Sequence, residues 1–366
     1  MKRTKMINIP IMLALFVMLL SACANTSEQS GGNEATPSEE VVTSEETATS
    51  EETPTSEETP TSEDTTTQEA GKVVEVTDMH GTVTVPVNPK RVVALDNRTF
   101  ETLSTWGIEL AAVPKAVMPG DISYVQDEAV QDIGNHREPN LEIIAALDPE
   151  LVIVGQRFSS FYADIKALVP NAAVIDLTFD VSESAGSPGE NLVNGLKDST
   201  TVLGQIFDKT EEATQLNADF DQAIEQVRLA YNGTDTVMSV IVSGGDVNFS
   251  APGSGRVWGP MYEIFGWVPA LGLDNASSDH QGDDISVEAI AQSNPDWIFV
   301  LDRDAAISTI TDALPAQDVI DESPALQNTK AVIEDKIIYA PADTYTNESI
   351  HTYLELFEET AKAFEQ

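Results

Sequence analysis

The chain has 366 residues, room for two domains of ordinary size, and 41% of them are hydrophobic, as in a globular body. Its formal charge of −42 repels nucleic acid and other polyanions, so a nucleic-acid partner is excluded. Cys23 is the single cysteine, so no intrachain disulfide can form.

The first elements concern export. Lys2, Arg3 and Lys5 precede an apolar run from Ile9 to Leu20, broken only by Pro10. The run is too short for a mature membrane span and suits a signal peptide over residues 1–22. Leu20-Ser21-Ala22-Cys23 resembles the bacterial lipobox, in which the cysteine is lipidated and becomes the mature N-terminus. Ordinary cleavage nearby is the alternative; two acyl chains would anchor the protein stably.

Residues 23–71 read as a tether. From Ala24 to Gly71 there is no Lys or Arg, and pieces of TSEETP recur. Such a segment has little apolar surface to bury and repels itself, so it is expected to stay extended, reaching on the order of 40 Å or more as a flexible coil. The body is expected from Lys72. VVEVTDMHGTVTVP alternates apolar and polar residues about a His80-Gly81 turn, which predicts a β-hairpin. Val92 to Leu95 predicts a buried strand, TFETLSTWGI an amphipathic helix stopped at Gly107, and Leu110 to Val113 a short strand. Helices and apolar strands then alternate, the α/β pattern. Asn191 to Tyr231 lacks proline and keeps helical periodicity, which predicts a linking helical segment over 191–233. Thr236 to Val242 opens a second alternation. The expected lobes are 72–190 and 234–366.

One line is written twice. Pro139 to Arg157 (PNLEIIAALDPELVIVGQR) aligns without a gap on Ile285 to Arg303 (ISVEAIAQSNPDWIFVLDR). Glu142 falls on Glu288, Pro149 on Pro295, and Arg157 on Arg303, each pair 146 positions apart, as 303 is from 157. The unit is helix, proline stop, acidic residue, buried strand, arginine. Two copies flanking a long helical segment predict two similar Rossmann-like α/β lobes joined by a helix. Ligands of parallel sheets sit beyond the carboxyl ends of the strands, where both arginines lie. If the lobes face each other, both guanidiniums enter one cleft; otherwise each pairs with a surface carboxylate.

In this order, the lipobox, VTVPVNPKRVVAL, the EPNLE and ALDPELVIV block, the long helix, SVEAIAQSNPDWIFVLDR and KIIYAPADTYTNES resemble the iron-siderophore substrate-binding lipoproteins of bacterial ABC importers. The resemblance implies the class III fold, α/β with two lobes bridged by a long rigid helix. It implies no intrinsic cofactor: ferric iron arrives within the siderophore. The implied partners are a ferric siderophore, an ABC permease dimer with its ATPase, and the membrane through the lipid anchor on its extracytoplasmic face.

By that resemblance Arg157, Arg256 and Arg303 bind ligand. A ferric tris-catecholate is a planar-ringed anion, and arginine offers fixed charge, several donors and a stacking face. Arg98, in DNRTFETL, faces the cleft or makes a capping salt bridge. Trp258, beside Arg256, stacks on ligand or fills the core. His280 and Tyr345 are the candidate ferric ligands, although the HQGDD loop is a residue longer than the family pattern and Tyr345 matches loosely. His136 and Arg137 lie in a loop that borders the cleft or the surface. Glu142 and Glu288 match the family's docking glutamates for the permease; each also complements a helix dipole two residues after Asn140 or Ser286. There is no GxSxG, HExxH, P-loop or CxxC motif, so an enzyme is not expected. A zinc or manganese binder, or a surface adhesin, is the alternative; four scattered histidines and the paired arginines weigh against a bare cation.

Overall fold

The computed structural model describes residues 71–366, apart from 274–276, 278, 308–309 and 311–312. The expected signal peptide, Cys23 and the tether lie outside the described residues, save Gly71 at the tether's end. The body opens with the expected hairpin, β1 (Val73–Asp78) against β2 (Gly81–Pro86). Gly81 turns it at φ 126°, a conformation that side chains avoid. The Asp78 carboxylate accepts from the backbone N–H of Asp176 at 2.9 Å, and the His80 ring stacks on Tyr162 at 3.7 Å. These contacts hold the hairpin to the first lobe.

That lobe is built on β3 (Val92–Ala94), α1 (Phe100–Thr105), β4 (Ala112–Val113), α2 (Ser123–Gln126), β5 (Gln131–Asp132), α3 (Leu141–Leu147), β6 (Leu151–Val154), α4 (Tyr162–Leu168) and β7 (Ala173–Asp176). Its sheet is parallel, in the order β5-β4-β3-β6-β7. The central strands are buried on both faces, which explains their unbroken apolar runs. Their side chains still alternate. Val92, Ala94, Leu151 and Ile153 join one core layer, whereas Val93, Leu95, Val152 and Val154 join the other.

The chain leaves this lobe through α5 (Pro188–Ile206). Ser187 caps it by accepting from the Glu190 N–H, and Pro188 occupies the first turn, where its missing N–H costs nothing. Nineteen residues give a rod about 28 Å long. Leu192 and Leu196 enter the core of the second lobe, and Leu203 and Ile206 enter that of the first. This helix is therefore the bridge. The rest of the segment expected as one linker is a separate helix, α6 (Thr210–Ala230). The break falls at Phe207 to Lys209, where Asp208 takes a left-handed φ of 54° and the chain folds back. A Cβ at Gly204 would stand 2.6 Å from that of Ala213, so the glycine permits this close return.

The second lobe contains β8 (Thr236–Ser243), β9 (Asp246–Phe249), α7 (Gly259–Phe265), β10 (Val268–Pro269), α8 (Val287–Ser293), β11 (Trp297–Asp302), α9 (Ala316–Asp321), α10 (Lys330–Ile333), β12 (Ile337–Tyr339) and α11 (Ile350–Phe364). Its parallel order is β10-β8-β11-β12, with β9 folded back antiparallel on β8. The sequence repeat is a structural repeat. Helices α3 and α8 are seven residues each and are capped by Asn140 and Ser286. Both end on a left-handed residue, Asp148 (φ 45°) and Asn294 (φ 46°).

The first lobe is also tied to the turn before α11. The Glu101 carboxylate accepts from Asn347 Nδ2 (3.0 Å), Thr352 Oγ1 (3.3 Å) and Ser349 Oγ, and Asn97 donates to the Thr346 carbonyl (3.3 Å).

Candidate functional site

Both sheets change winding direction at an internal pair of strands. In the first lobe the chain runs outward from β3 to β4 and β5, then returns to place β6 on the other side of β3. In the second it runs from β8 to β10, then places β11 on the other side of β8. Open parallel sheets bind ligands in the crevice at such a switch point. Arg157 follows β6 and Arg303 follows β11, so each arginine stands at the switch point of its own sheet.

Gly155 shapes the first of these crevices. A Cβ there would lie 2.2 Å from the Asp96 carboxyl carbon, so the ends of β3 and β6 approach only because that position has no side chain. In the second, Arg303 Nη1 donates to Ser243 Oγ at the end of β8 (3.3 Å) and to Asp304 Oδ1 (3.2 Å).

Arg256 arrives on the loop between β9 and α7. The N–H of Trp258 donates back to the Arg256 carbonyl at 2.7 Å, and Val257 between them has φ 63°. A β-branched residue in the left-handed region is strained, and such strain concentrates at functional sites. The tight turn sends neighbouring side chains apart. Arg256 goes to the cleft, whereas Trp258 is fully buried against Phe299 in the core. The expectation that Trp258 stacks on ligand is therefore corrected: its ring has no exposed face.

Tyr345 is the centre of the arrangement. Its carbonyl accepts from Arg157 Nη2 (3.2 Å) and Arg256 Nη2 (3.1 Å). Its ring packs under the guanidiniums of Arg256 (4.5 Å) and Arg303 (5.2 Å). The three arginines, Tyr345, His280 and His136 line one cleft of about 620 Å³. That volume suits a small-molecule site. Val117, Met118, Ile307 and Ile310 add apolar surface to its lining. Burial, then the neighbouring Arg256 charge, lowers the pKa of Arg157 from the ordinary arginine range. Burial, with Arg157 and Arg137 beside it, also lowers that of His136, which favours a neutral imidazole.

Arg98 is corrected as well. Its side chain is 3% exposed and does not line the cleft. It lies below, 4.0 Å over the Phe179 ring and 3.3 Å from the Glu348 carboxylate. It has no cleft role; of the two expectations the salt bridge is the nearer, although the pair is buried and made with Glu348. His280 is half exposed at the rim, 3.8 Å from the Asp279 carboxylate. Glu142 and Glu288 are exposed on the first turns of α3 and α8. A larger cavity of about 710 Å³ lies in the second lobe against Asp246, Asp284 and Glu322, where no guanidinium enters.

Sequence reasoning missed Glu348. It is 4% exposed and ion-paired to both Arg98 and Arg256. Burial raises its pKa, but the charges of Arg256, Arg98 and Arg157 outweigh that and hold it below the ordinary range.

A family model described as periplasmic binding protein matches residues 92–344, more than half of the chain. The chain belongs to the periplasmic binding protein family. Among its relatives, this periplasmic binding protein is 30% identical to the petrobactin-binding protein YclQ of Bacillus subtilis over 275 residues, 73% of this chain and 79% of that one. It is 28% identical to the ferric-anguibactin-binding protein FatB of Vibrio anguillarum, over 78% of this chain and 85% of that one. The crystal structure of YclQ superposes with a TM-score of 0.68, over 81% of this chain and 99% of that one, at 26% identity. The siderophore-binding protein BauB, bound to two acinetobactin molecules and ferric iron, gives 0.68 over 80% and 99%, also at 26% identity. The α/β class with two lobes is the fold of this family, and the family is one of binding proteins rather than enzymes.

Proposed function

We propose that this periplasmic binding protein captures a ferric siderophore and delivers it to an ABC importer. The observation that carries the reading is the convergence of Arg157, Arg256 and Arg303 on one cleft of a chain whose net charge is −42. Glu348 and Asp304 offset Arg256 and Arg303, but Arg157 has no carboxylate partner among the described residues, so the cleft keeps a cation that an anionic ligand can join. The relatives that bind petrobactin, ferric anguibactin and ferric acinetobactin support an iron complex as that anion. A bare zinc or manganese ion fits less well: among the described residues no three His, Cys, Asp or Glu side chains gather to hold one.

The finer reading follows from chemistry. Guanidinium faces and fixed charge favour a catecholate chelate over a neutral hydroxamate. The iron travels inside the ligand, with His280 and Tyr345 as the groups to complete its coordination if the chelator leaves sites open. Glu142 and Glu288, exposed on two matched helices, suit a two-fold permease. Cys23 carries the lipid that keeps the protein at the extracytoplasmic face of the membrane. The test is a titration of intrinsic tryptophan fluorescence. The iron(III) complex of a hexadentate tris-catechol quenches it at submicromolar concentration, and zinc chloride does not. Quenching by zinc alone overturns the reading.

A further inference from the structure

Two of the three arginines of the cleft do not face the ligand as free charges. Arg303 is held by Asp304. Arg256 shares the Glu348 carboxylate with Arg98, which lies below the floor. Arg157 has no carboxylate within ion-pair distance among the described residues. Glu348 is thus a buried anion directly behind the cleft, paired with one guanidinium that lines the cleft and one that does not.

A carboxylate in that place needs a reason. Burial of a charge is unfavourable unless it is paired, and this one is paired with two guanidiniums. Position fixes its partners: Glu348 directly precedes Ser349, whose hydroxyl caps α11 by accepting from the Thr352 N–H. The adjoining cavity of about 420 Å³ contains Arg98, Arg256, Glu348, Phe179 and Tyr353. It meets the cleft at Arg256 and Gln156, which line both.

Resting on the reading of the cleft as an anion site, we propose that Glu348 is a built-in counter-anion that sets how much negative charge the cleft accepts. It neutralises part of the Arg98 and Arg256 charge, so the site discriminates weakly between complexes that differ by one charge. Glu348→Gln keeps an acceptor oxygen in place and removes the anion, which adds one positive charge under the ligand. Arg98→Gln does the reverse, removing a cation that does not line the cleft.

The experiment uses one hexadentate tris-catechol loaded with iron(III) or with titanium(IV). The two complexes share a shape; the first is a trianion and the second a dianion. The ratio of their affinities reads the charge of the floor alone. Glu348→Gln is expected to shift the ratio toward the trianion by about fivefold, the scale of one unit charge several ångströms away at an intermediate dielectric. Arg98→Gln shifts it the other way, and the double variant returns it near wild type. Equal ratios in all four proteins overturn the proposal, and if Glu348→Gln does not fold, an unchanged ratio in Arg98→Gln does so alone. Failure of wild type to bind either complex sinks the catecholate reading of the cleft instead. Melting in rising sulfate then decides the role of Glu348. Sulfate is expected to raise the Tm of Glu348→Gln more than that of wild type, and an equal rise overturns the counter-anion.

Discussion

Arg256 holds Tyr345 in two ways at once: its Nη2 donates to the Tyr345 carbonyl at 3.1 Å, and its guanidinium carbon lies 4.5 Å above the Tyr345 ring. Arg157 bonds the same carbonyl, and Arg303 covers the same ring. One tyrosine therefore aligns three cations that reach the cleft from three different loops. Preorganisation of this kind reduces what must be ordered when ligand arrives.

The first prediction concerns those cations. Arg157→Ala and Arg303→Ala each remove charged hydrogen bonds worth about 1.5–3 kcal/mol. Affinity for the iron(III) tris-catecholate is expected to fall about tenfold to a hundredfold per substitution. Fluorescence quenching measures it, and unchanged affinity in the double variant removes both arginines from the site. Arg157 pairs with no carboxylate among the described residues, so the Tm of Arg157→Ala is expected to move little, whereas Arg303→Ala leaves the buried Asp304 without its ion pair and is expected to lower the Tm.

Trp258 should behave in the opposite way. It is fully buried and packs edge-on against Phe299 at 5.3 Å. Trp258→Ala is expected to destabilise the fold by about 3–5 kcal/mol. Trp258→Phe is expected to lose less and to bind with wild-type affinity. Urea denaturation and quenching together separate the two effects; weaker binding by a fully folded Trp258→Phe would return this residue to the cleft.

The contrast between Arg256 and Trp258 shows what could be read from the residues and what could not. Buried strands, proline stops and the repeat at a spacing of 146 are local signals, and they placed Arg157 and Arg303 at the ends of β6 and β11. Val257 at φ 63° is not a local signal, since a β-branched residue gives no warning of a left-handed turn. Without that turn, neighbours look as if they share a face. The helix break at Phe207 to Lys209 was hidden for a similar reason: it uses Asp208 rather than glycine or proline. Thr210 followed by Glu211 and Glu212 does carry the composition of a helix start. Glu348 was one of 61 acidic residues. Only the fold shows which of them is buried among arginines.

Acid dependence of stability centres on Asp96. It is buried beside Gly155, and desolvation is the main cause that raises its pKa from 3.8 to about 7, against the opposing pull of Arg98. The folded state therefore binds this proton more tightly than the unfolded chain. Stability from this group is full below about pH 4 and is lost as pH rises toward about 7. Asp96→Asn mimics the protonated form. It is expected to flatten this part of the pH profile and to stabilise the protein at neutral pH by no more than about 4 kcal/mol. Denaturation at pH 5 and pH 8 checks the sign; a variant less stable than wild type at pH 8 contradicts it.

Glu142 and Glu288 test the partner. Both are exposed on the first turns of seven-residue helices, where a carboxylate also complements the backbone dipole by about 0.3–1 kcal/mol. Glu142→Ala with Glu288→Ala is expected to leave siderophore affinity unchanged and to lower the Tm slightly. Uptake of radiolabelled iron complex by cells carrying the pair is expected to fall severalfold. Normal uptake with the small loss of Tm would leave the dipole as their whole role.

Gly155 gives the sharpest test of the crevice between β3 and β6. A methyl group there meets the Asp96 side chain at 2.2 to 2.4 Å, and Asp96 is itself buried and held by the Arg98 N–H at 3.2 Å. Nothing flexible can yield without disturbing that bond or the strand ends. Gly155→Ala is expected to destabilise the fold by about 1–3 kcal/mol through overpacking. It should also weaken ligand binding, because Arg157 is only two residues on and moves with the strand end. Replacing Asp96 by glycine in the same chain removes the atoms that clash, its Cβ included. The double variant should then recover part of the stability lost by Gly155→Ala, and the double-mutant cycle measures the coupling. Additive losses would mean that the two positions do not meet, and that something other than this contact sets the direction in which Arg157 leaves the sheet.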